Sequence, residues 1–340
     1  MKKIPVMIAA AGGAGLLAWS MLRRRPADLH GKVVLITGGS RGLGLQMARE
    51  FGALGAAIAI CARDQSELER ARQDLIDRDI RVHSVACDVA DRNSVEVMVR
   101  EVGEVLGPVD VLVNNAGIIQ VGPIQQQNIE NFRQTMDVIF WGALYTTMAV
   151  LPSMRERRSG KIVNITSIGA KVSVPHLIPY GCAKFALLAL SEGLRAELKQ
   201  DGIQVISIVP GLMRTGSHLH AGFKGDHTKE YAWFSVGAAT PLVAISAQRA
   251  ARKIVGATLR GDSEKIISLP AQLLARFHGL LPELTGPIMA LVNQLILPGS
   301  PESSTDLRTG VEARAQLHSR VLDIINWPGQ KAAESLNQMS

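Results

Sequence analysis

Cysteine is scarce in this chain, with only Cys61, Cys87 and Cys182 among 340 residues. They are odd in number and widely spaced, which excludes both a disulfide framework and a metal-type cluster. Each sits in an apolar run and reads as a buried small hydrophobe, so a reducing compartment is expected. Aromatics are also few, at 4%, against 47% hydrophobic residues and 32 glycines. That balance disfavours an aromatic-cored sandwich and suits a buried parallel sheet. A basic stripe is missing from the body as well. Five of the seven net positive charges come from Lys2, Lys3, Arg23, Arg24 and Arg25, in a stretch that holds no acid. The rest of the chain has no electrostatic footprint for nucleic acid.

Between those two basic clusters, residues 4–22 carry no charge over 19 positions. This is close to the ~20 residues that a helix needs to cross the hydrocarbon core. An uncleaved membrane anchor is expected, with the body on the cytoplasmic side. The alternative is a signal peptide cleaved near Ala18-Trp19-Ser20, which would leave a soluble protein.

From residue 31 onward, short apolar runs alternate with helix-patterned stretches. Strands are expected at 32–37, 57–61, 81–87, 109–114, 161–166, 204–209 and 265–269, with helices between them. Such alternation predicts a Rossmann-like, doubly wound parallel sheet covered by helices on both faces. The expected division is an anchor with its basic flank at 1–26, a catalytic domain at 27–270 and an apolar, helical extension at 271–340.

The first strand runs into Thr37-Gly38-Gly39-Ser40-Arg41-Gly42-Leu43-Gly44. Glycines here let the backbone approach a pyrophosphate, and the helix that follows presents free N–H groups and its positive dipole end. The second strand ends in Ile60-Cys61-Ala62-Arg63-Asp64. Arg63, with Arg41, can pair with a ribose 2′-phosphate. Asp64 is the competing clue, since an acid here reads a 2′-hydroxyl. It falls past the strand end, where it can also cap the next helix. NADP(H) is therefore favoured over NAD(H).

Downstream, Ser167 closes a strand, and Tyr180 and Lys184 stand four apart at a helix start, on one face. An ammonium near a phenol favours the phenolate and lowers its pKa, which makes the phenol a usable acid or base. In this order the chain resembles the short-chain dehydrogenase/reductase family. The matching pieces are TGGSRGLG (37–44), CDV (87–89), NNAG (114–117), Ser167, YGCAK (180–184) and PGLMRT (210–215). The resemblance covers about residues 30–270. It implies that Tyr180 is the acid/base, that Ser167 positions the carbonyl, and that Lys184 binds the nicotinamide ribose and tunes Tyr180. It also implies Asp88 and Val89 by the adenine, Asn114 and Gly117 on the cofactor floor, and Pro210, Gly211 and Thr215 beside the nicotinamide. A dimer or tetramer is common in that family. One departure stands out: the family's D-V-N-x-x-G stretch reads Asp137-Val138-Ile139-Phe140-Trp141-Gly142 here. Ile139 cannot hold the water that the asparagine holds in the family's proton relay.

Residues 212–241 contain His218, His220, His227, Tyr231, Trp233 and Phe234. The histidines lack a carboxylate pattern and are expected to be solvated in a mobile lid, with no metal. The aromatics either cover an apolar substrate or pack ordinarily. Residues 270–298 are apolar but divided by Pro270, Pro282, Pro287 and Pro298 into pieces too short to span a bilayer. They read as a greasy pocket wall, a membrane-facing segment or a dimer contact. A linker, an amphipathic helix at 311–325 and a disordered polar tail are expected after them. The expected function is hydride exchange between NADP(H) and a small, lipophilic ketone or secondary alcohol. The rival is a protein that binds NADP(H) as a structural or sensing ligand with weak or lost catalysis.

Overall fold

The computed structural model describes residues 28–240, 243–299, 306–317 and 320–338. The expected anchor at 1–26 lies outside the described residues. The apolar runs form one seven-stranded sheet from β1 (Val33–Thr37), β2 (Ala57–Ala62), β3 (Val82–Ala86), β4 (Val111–Asn114), β5 (Gly160–Ile165), β6 (Ile203–Val209) and β7 (Glu264–Ile266). Its order is β3-β2-β1-β4-β5-β6-β7, with every neighbouring pair parallel. The last strand is shorter than expected, because Ser268 caps a helix that begins at Leu269.

The major helices are α1 (Gly42–Gly52), α2 (Gln65–Ile76), α3 (Arg92–Val105), α4 (Ile129–Met136), α5 (Gly142–Glu156), α6 (Ile178–Leu198), α7 (His227–Ala239), α8 (Ala247–Arg260), α9 (Leu269–Leu280), α10 (Pro282–Leu295), α11 (Gly310–Ala315) and α12 (Arg320–Ser335). Alternation along β1 assigns the two faces. Val34 and Ile36 pack with residues of α1, α2 and α8, whereas Val33 and Leu35 pack with residues of α3 and α5. Each such side chain taken fully out of water is worth about 1.5–3 kcal/mol. Both faces are therefore dry, as the continuous apolar strands require.

β1 is flanked by β2 on one side and β4 on the other, so the chain reverses its winding between β1 and β4. A crevice opens at the carboxyl ends of strands at such a reversal, and that is where ligands bind in sheets of this kind.

Beyond the sheet, short strands at Gln120–Val121, Gly222–Phe223 and Arg308–Thr309 pair into a second, small sheet. Beneath it Val121, Phe223, Tyr231, Phe234 and Ala313 form a separate core. Tyr231 and Phe234 are thus packing residues, which decides between the two readings of the aromatic stretch. Pro287 lies inside α10 rather than dividing it, while Pro270 and Pro282 sit in the first turns of α9 and α10. There a missing N–H breaks no bond within the helix.

Candidate active site

β1 delivers Thr37 to the sheet's carboxyl edge, and the chain turns into α1 through glycines. A Cβ on Gly44 would collide with the Gly38 carbonyl oxygen, so this position needs hydrogen for the turn and helix to close. Gly42 adopts φ +58°, the left-handed region that glycine enters at no steric cost. Thr37 turns away from the crevice, and its hydroxyl accepts from the N–H groups of Asn115 and Ala116, each at 3.0 Å. Asn115 in turn donates to the Thr37 and Gly38 carbonyls, both at 3.0 Å. The ends of β1 and β4 are therefore latched together at the winding reversal.

The crevice is a cleft of about 750 Å³. Of the residues expected to hold a dinucleotide, Gly38, Ser40, Arg41, Gly42, Leu43, Arg63, Asp88, Val89, Gly117, Pro210, Gly211 and Thr215 line it, together with Ser167, Tyr180 and Lys184. Three do not. Thr37 and Gly44 shape the turn from behind. Asn114 faces the other way, donating to Asn164 Oδ1 at 2.8 Å and accepting from the Thr146 hydroxyl at 2.6 Å. This correction follows from the strand period, because successive side chains leave opposite faces and Asn115 takes the place expected of Asn114. The cradle fits a dinucleotide: glycine backbone, a helix start and an elongated cleft meet in one place.

Ser167 stands just beyond β5 and Tyr180 in the first turn of α6. The Ser167 hydroxyl accepts from the Gly169 N–H at 3.1 Å, and it and the Tyr180 ring both border the Cα of Gly169. Lys184 follows one turn later, its Nζ 5.7 Å from the Tyr180 ring centre and donating to the Ile165 carbonyl at 2.7 Å. Burial brings the Lys184 ammonium down to about 7. Burial also pushes the Tyr180 phenol above its usual value, against a smaller pull from Ser167. The expected depression of the phenol by Lys184 is not seen; desolvation sets the direction.

Ile139 lies in a π-helical turn (Asp137–Trp141) between α4 and α5 and is 1% exposed. It packs with Ala143, Ala183 and Leu187, and Tyr180 rests against the same cluster. Its side chain and the Lys184 ammonium both border the Cα of Gly117. The lysine is thus backed by hydrocarbon where a hydrogen-bonding side chain had been the family expectation.

Residues 32–221 match the sequence profile of the short chain dehydrogenases. The chain belongs to this family. As one of its members, it is an NAD(P)-dependent oxidoreductase. It is 38% identical over 211 residues to the dehydrogenase/reductase SDR family protein 7-like of Anopheles gambiae, covering 61% of this chain and 67% of that one. Its fold is similar to that of L-sorbose reductase from Gluconobacter frateurii complexed with NADPH and L-sorbose, with TM-score 0.65, 28% identity and coverage of 72% of this chain and 97% of that one. It is likewise similar to a gluconate 5-dehydrogenase from Burkholderia cenocepacia J2315 in complex with NADP and tartrate, with TM-score 0.61, 27% identity and coverage of 71% and 95%.

In this short-chain dehydrogenase the cleft also holds residues that the motifs do not mark. Glu67 accepts from Arg41 Nη1 at 2.7 Å and from the Ser40 hydroxyl at 3.0 Å. Its sequence signal was its place three residues after the capping Asp64. His220 lies 2.9 Å from Arg41 Nη1 through Nδ1. Gln338 arrives from the far end of the chain, with no local signal at all. The histidines are not solvated: His218 and His227 are buried, and burial lowers His218 to about 4. Cys61 and Cys87 are buried as expected, but Cys182 is exposed, since α6 turns its position outward.

Proposed function

We propose that this short-chain dehydrogenase interconverts a lipophilic ketone and its secondary alcohol with NADP(H), using Tyr180 as the acid/base. The observation that carries this is that Ser167, Tyr180 and Lys184 meet in the same cleft as the glycine turn, with Ser167 and Tyr180 both bordering Gly169. The bound dinucleotide would supply the hydride or take it up. Ser167 holds the substrate oxygen, and Tyr180 gives it a proton in reduction or removes one in oxidation. Lys184 sits behind the phenol, with a pKa near 7 that lets it exchange protons at neutral pH. With Ile139 in place of asparagine, proton supply to Lys184 has no side-chain relay at that position.

The preference for NADP(H) rests on charge. Asp64 is occupied as a cap, accepting from the Glu67 N–H at 2.8 Å and from the Ser66 hydroxyl at 2.7 Å. Arg63 is exposed at the cleft. Burial lowers the Arg41 pKa; Glu67 opposes this and the nearby Arg63 adds to it. Arg41 pairs with the Glu67 carboxylate and Arg63 stands beside it, an arrangement that suits an anion such as a 2′-phosphate. The similar sorbose reductase and gluconate 5-dehydrogenase were crystallised with NADPH and NADP.

The lipophilic substrate is supported by the α9–α10 hairpin. A Cβ on Gly211 would press on Ser268 Oγ and Ala271 Cβ, so α9 starts at the cleft wall. From there the hairpin exposes Leu273, Leu280, Leu284, Leu291 and Leu295. No helix among the described residues is long and apolar enough to cross a membrane. Residues 4–22 would tether the enzyme, and the hairpin would lie against the same surface with the body on the cytoplasmic side.

The test is NADPH oxidation against a panel of apolar ketones, with Tyr180→Phe alongside. The variant should keep its NADPH affinity and lose about 10²–10⁴-fold in turnover. A variant as active as the wild type would remove Tyr180 from the chemistry. A wild type that binds NADPH but turns over no ketone or alcohol would favour the sensing role.

A further inference from the structure

Past α12 the chain does not trail off as the expected disordered tail but folds back as a strap over the glycine turn. The Gly42 N–H donates to the Leu336 carbonyl at 2.9 Å. Asn337, held at φ +57°, donates through Nδ2 to the Ser40 carbonyl at 2.9 Å and the Glu67 carbonyl at 3.0 Å. Arg70 Nε donates to Asn337 Oδ1 at 2.8 Å, and Arg49 Nη2 to the Ser335 carbonyl at 3.0 Å. His220 Nε2 lies 3.0 Å from the Gln338 carbonyl. So many bonds to one short segment fix where its final side chain points.

That side chain is Gln338. It is 4% exposed, lines the cleft, and lies so close over Gly42 that a Cβ there would collide with its Nε2. Its Oε1 is buried without a hydrogen-bond partner among the described residues. A buried acceptor left unpaired is unfavourable, and a strap this firmly anchored cannot swing it out to water. The missing partner must carry a proton to donate. Phosphate oxygens have none at neutral pH, whereas the sugar beside a pyrophosphate carries hydroxyls.

We propose that Gln338 is a dinucleotide-binding residue contributed by the carboxy-terminal strap, its Oε1 accepting from a ribose hydroxyl and its Nε2 facing the adjoining phosphate. This rests on the dinucleotide reading of the cleft. The strap completes the cofactor site rather than blocking it, and residues 335–338 belong to the binding machinery although they lie far from every motif.

The experiment is NADPH titration by calorimetry of the full chain, of Gln338→Ala and of the chain stopped after Ser335. Gln338→Ala should raise the Kd roughly five- to tenfold, the loss expected for one neutral hydrogen bond. Its Tm without NADPH should not fall, because Oε1 has no bond to lose there and its unpaired burial is relieved, while the upward Tm shift caused by NADPH should shrink. The shortened chain should bind at least as weakly. An unchanged Kd in Gln338→Ala would overturn the inference, and so would tighter binding by the shortened chain, which would make the strap an obstruction. Failure of the wild type to bind NADPH or NADP⁺ would bring down the cofactor reading as well, whereas normal wild-type binding with an unaffected variant brings down this inference alone.

Discussion

Lys184 is 4% exposed and its ammonium is brought by burial to about 7, far below the 10.5 of a solvated lysine. Between those two values the unfolded chain keeps a proton that the folded chain has lost. The contribution of this group to stability therefore rises with pH across that window, by at most ~1.4 kcal/mol per pH unit. Below about 7 both states are protonated and the contribution stays at its least favourable. Lys184→Met should remove this slope. Urea unfolding at pH 7 and pH 9 should show wild type gaining on the variant as pH rises. A difference that does not move with pH would mean that the lysine is not held in a lowered state. Ile139 is one of the buried side chains on this side, bordering the same Gly117 as the ammonium. The identity of residue 139 was readable in the sequence, but the consequence was not. Desolvation depends on what surrounds a side chain, and neighbours such as Gly117 and Leu187 are brought there only by the fold.

At the scale of elements, the segment joining β5 to α6 decides where Ser167 and Tyr180 stand relative to each other. It is held from outside by α7. Glu230 accepts from Trp233 Nε1 at 2.6 Å and lies 2.7 Å from His176 Nδ1. Both members of the Glu230–His176 pair are buried, and His176 adopts φ +64°, which a non-glycine residue holds only when its surroundings insist. Glu230→Ala should cost on the order of 3 kcal/mol by leaving buried polar partners unpaired. It should also lower turnover more than NADPH affinity, as measured by urea unfolding and steady-state kinetics. The β1–turn–α1 unit was legible in the sequence because its signals are local: an apolar run, glycines, then a helix start. Asn114, expected on the cofactor floor, instead faces away from the cleft, and its neighbour Asn115 lines it, a difference that a strand's two-residue period makes. The His176–Glu230 contact left no trace, since it joins residues 54 positions apart through side chains alone.

For the whole molecule, the salient asymmetry is the α9–α10 hairpin, whose apolar side chains have no cover among the described residues. Leu280 is 80% exposed and Leu295 69%, in a protein that otherwise buries its aliphatics on both faces of the sheet. A protein lacking residues 1–26 should still sediment with phosphatidylcholine vesicles through this hairpin. The combined substitution Leu273→Ser, Leu280→Ser and Leu291→Ser should weaken that association by roughly tenfold or more. Vesicle binding that is indifferent to these changes would leave the hairpin to another partner. The prolines had suggested short pieces at 270–298. Pro282 does divide the region, into helices of 12 and 14 residues, whereas Pro270 lies in the first turn of α9 and Pro287 is carried inside α10.

The strap over the glycine turn has a temporal side. Synthesis proceeds from the amino end, so the sheet from β1 to β7 can assemble before residues 335–338 exist. The cradle made by the first strand and helix is finished by residues that emerge nearly three hundred positions later. Closing so long a loop adds little entropy beyond a loop half its length but delays the contact. A newly made chain therefore passes through a stage in which its sheet is folded and its nucleotide pocket still lacks a wall.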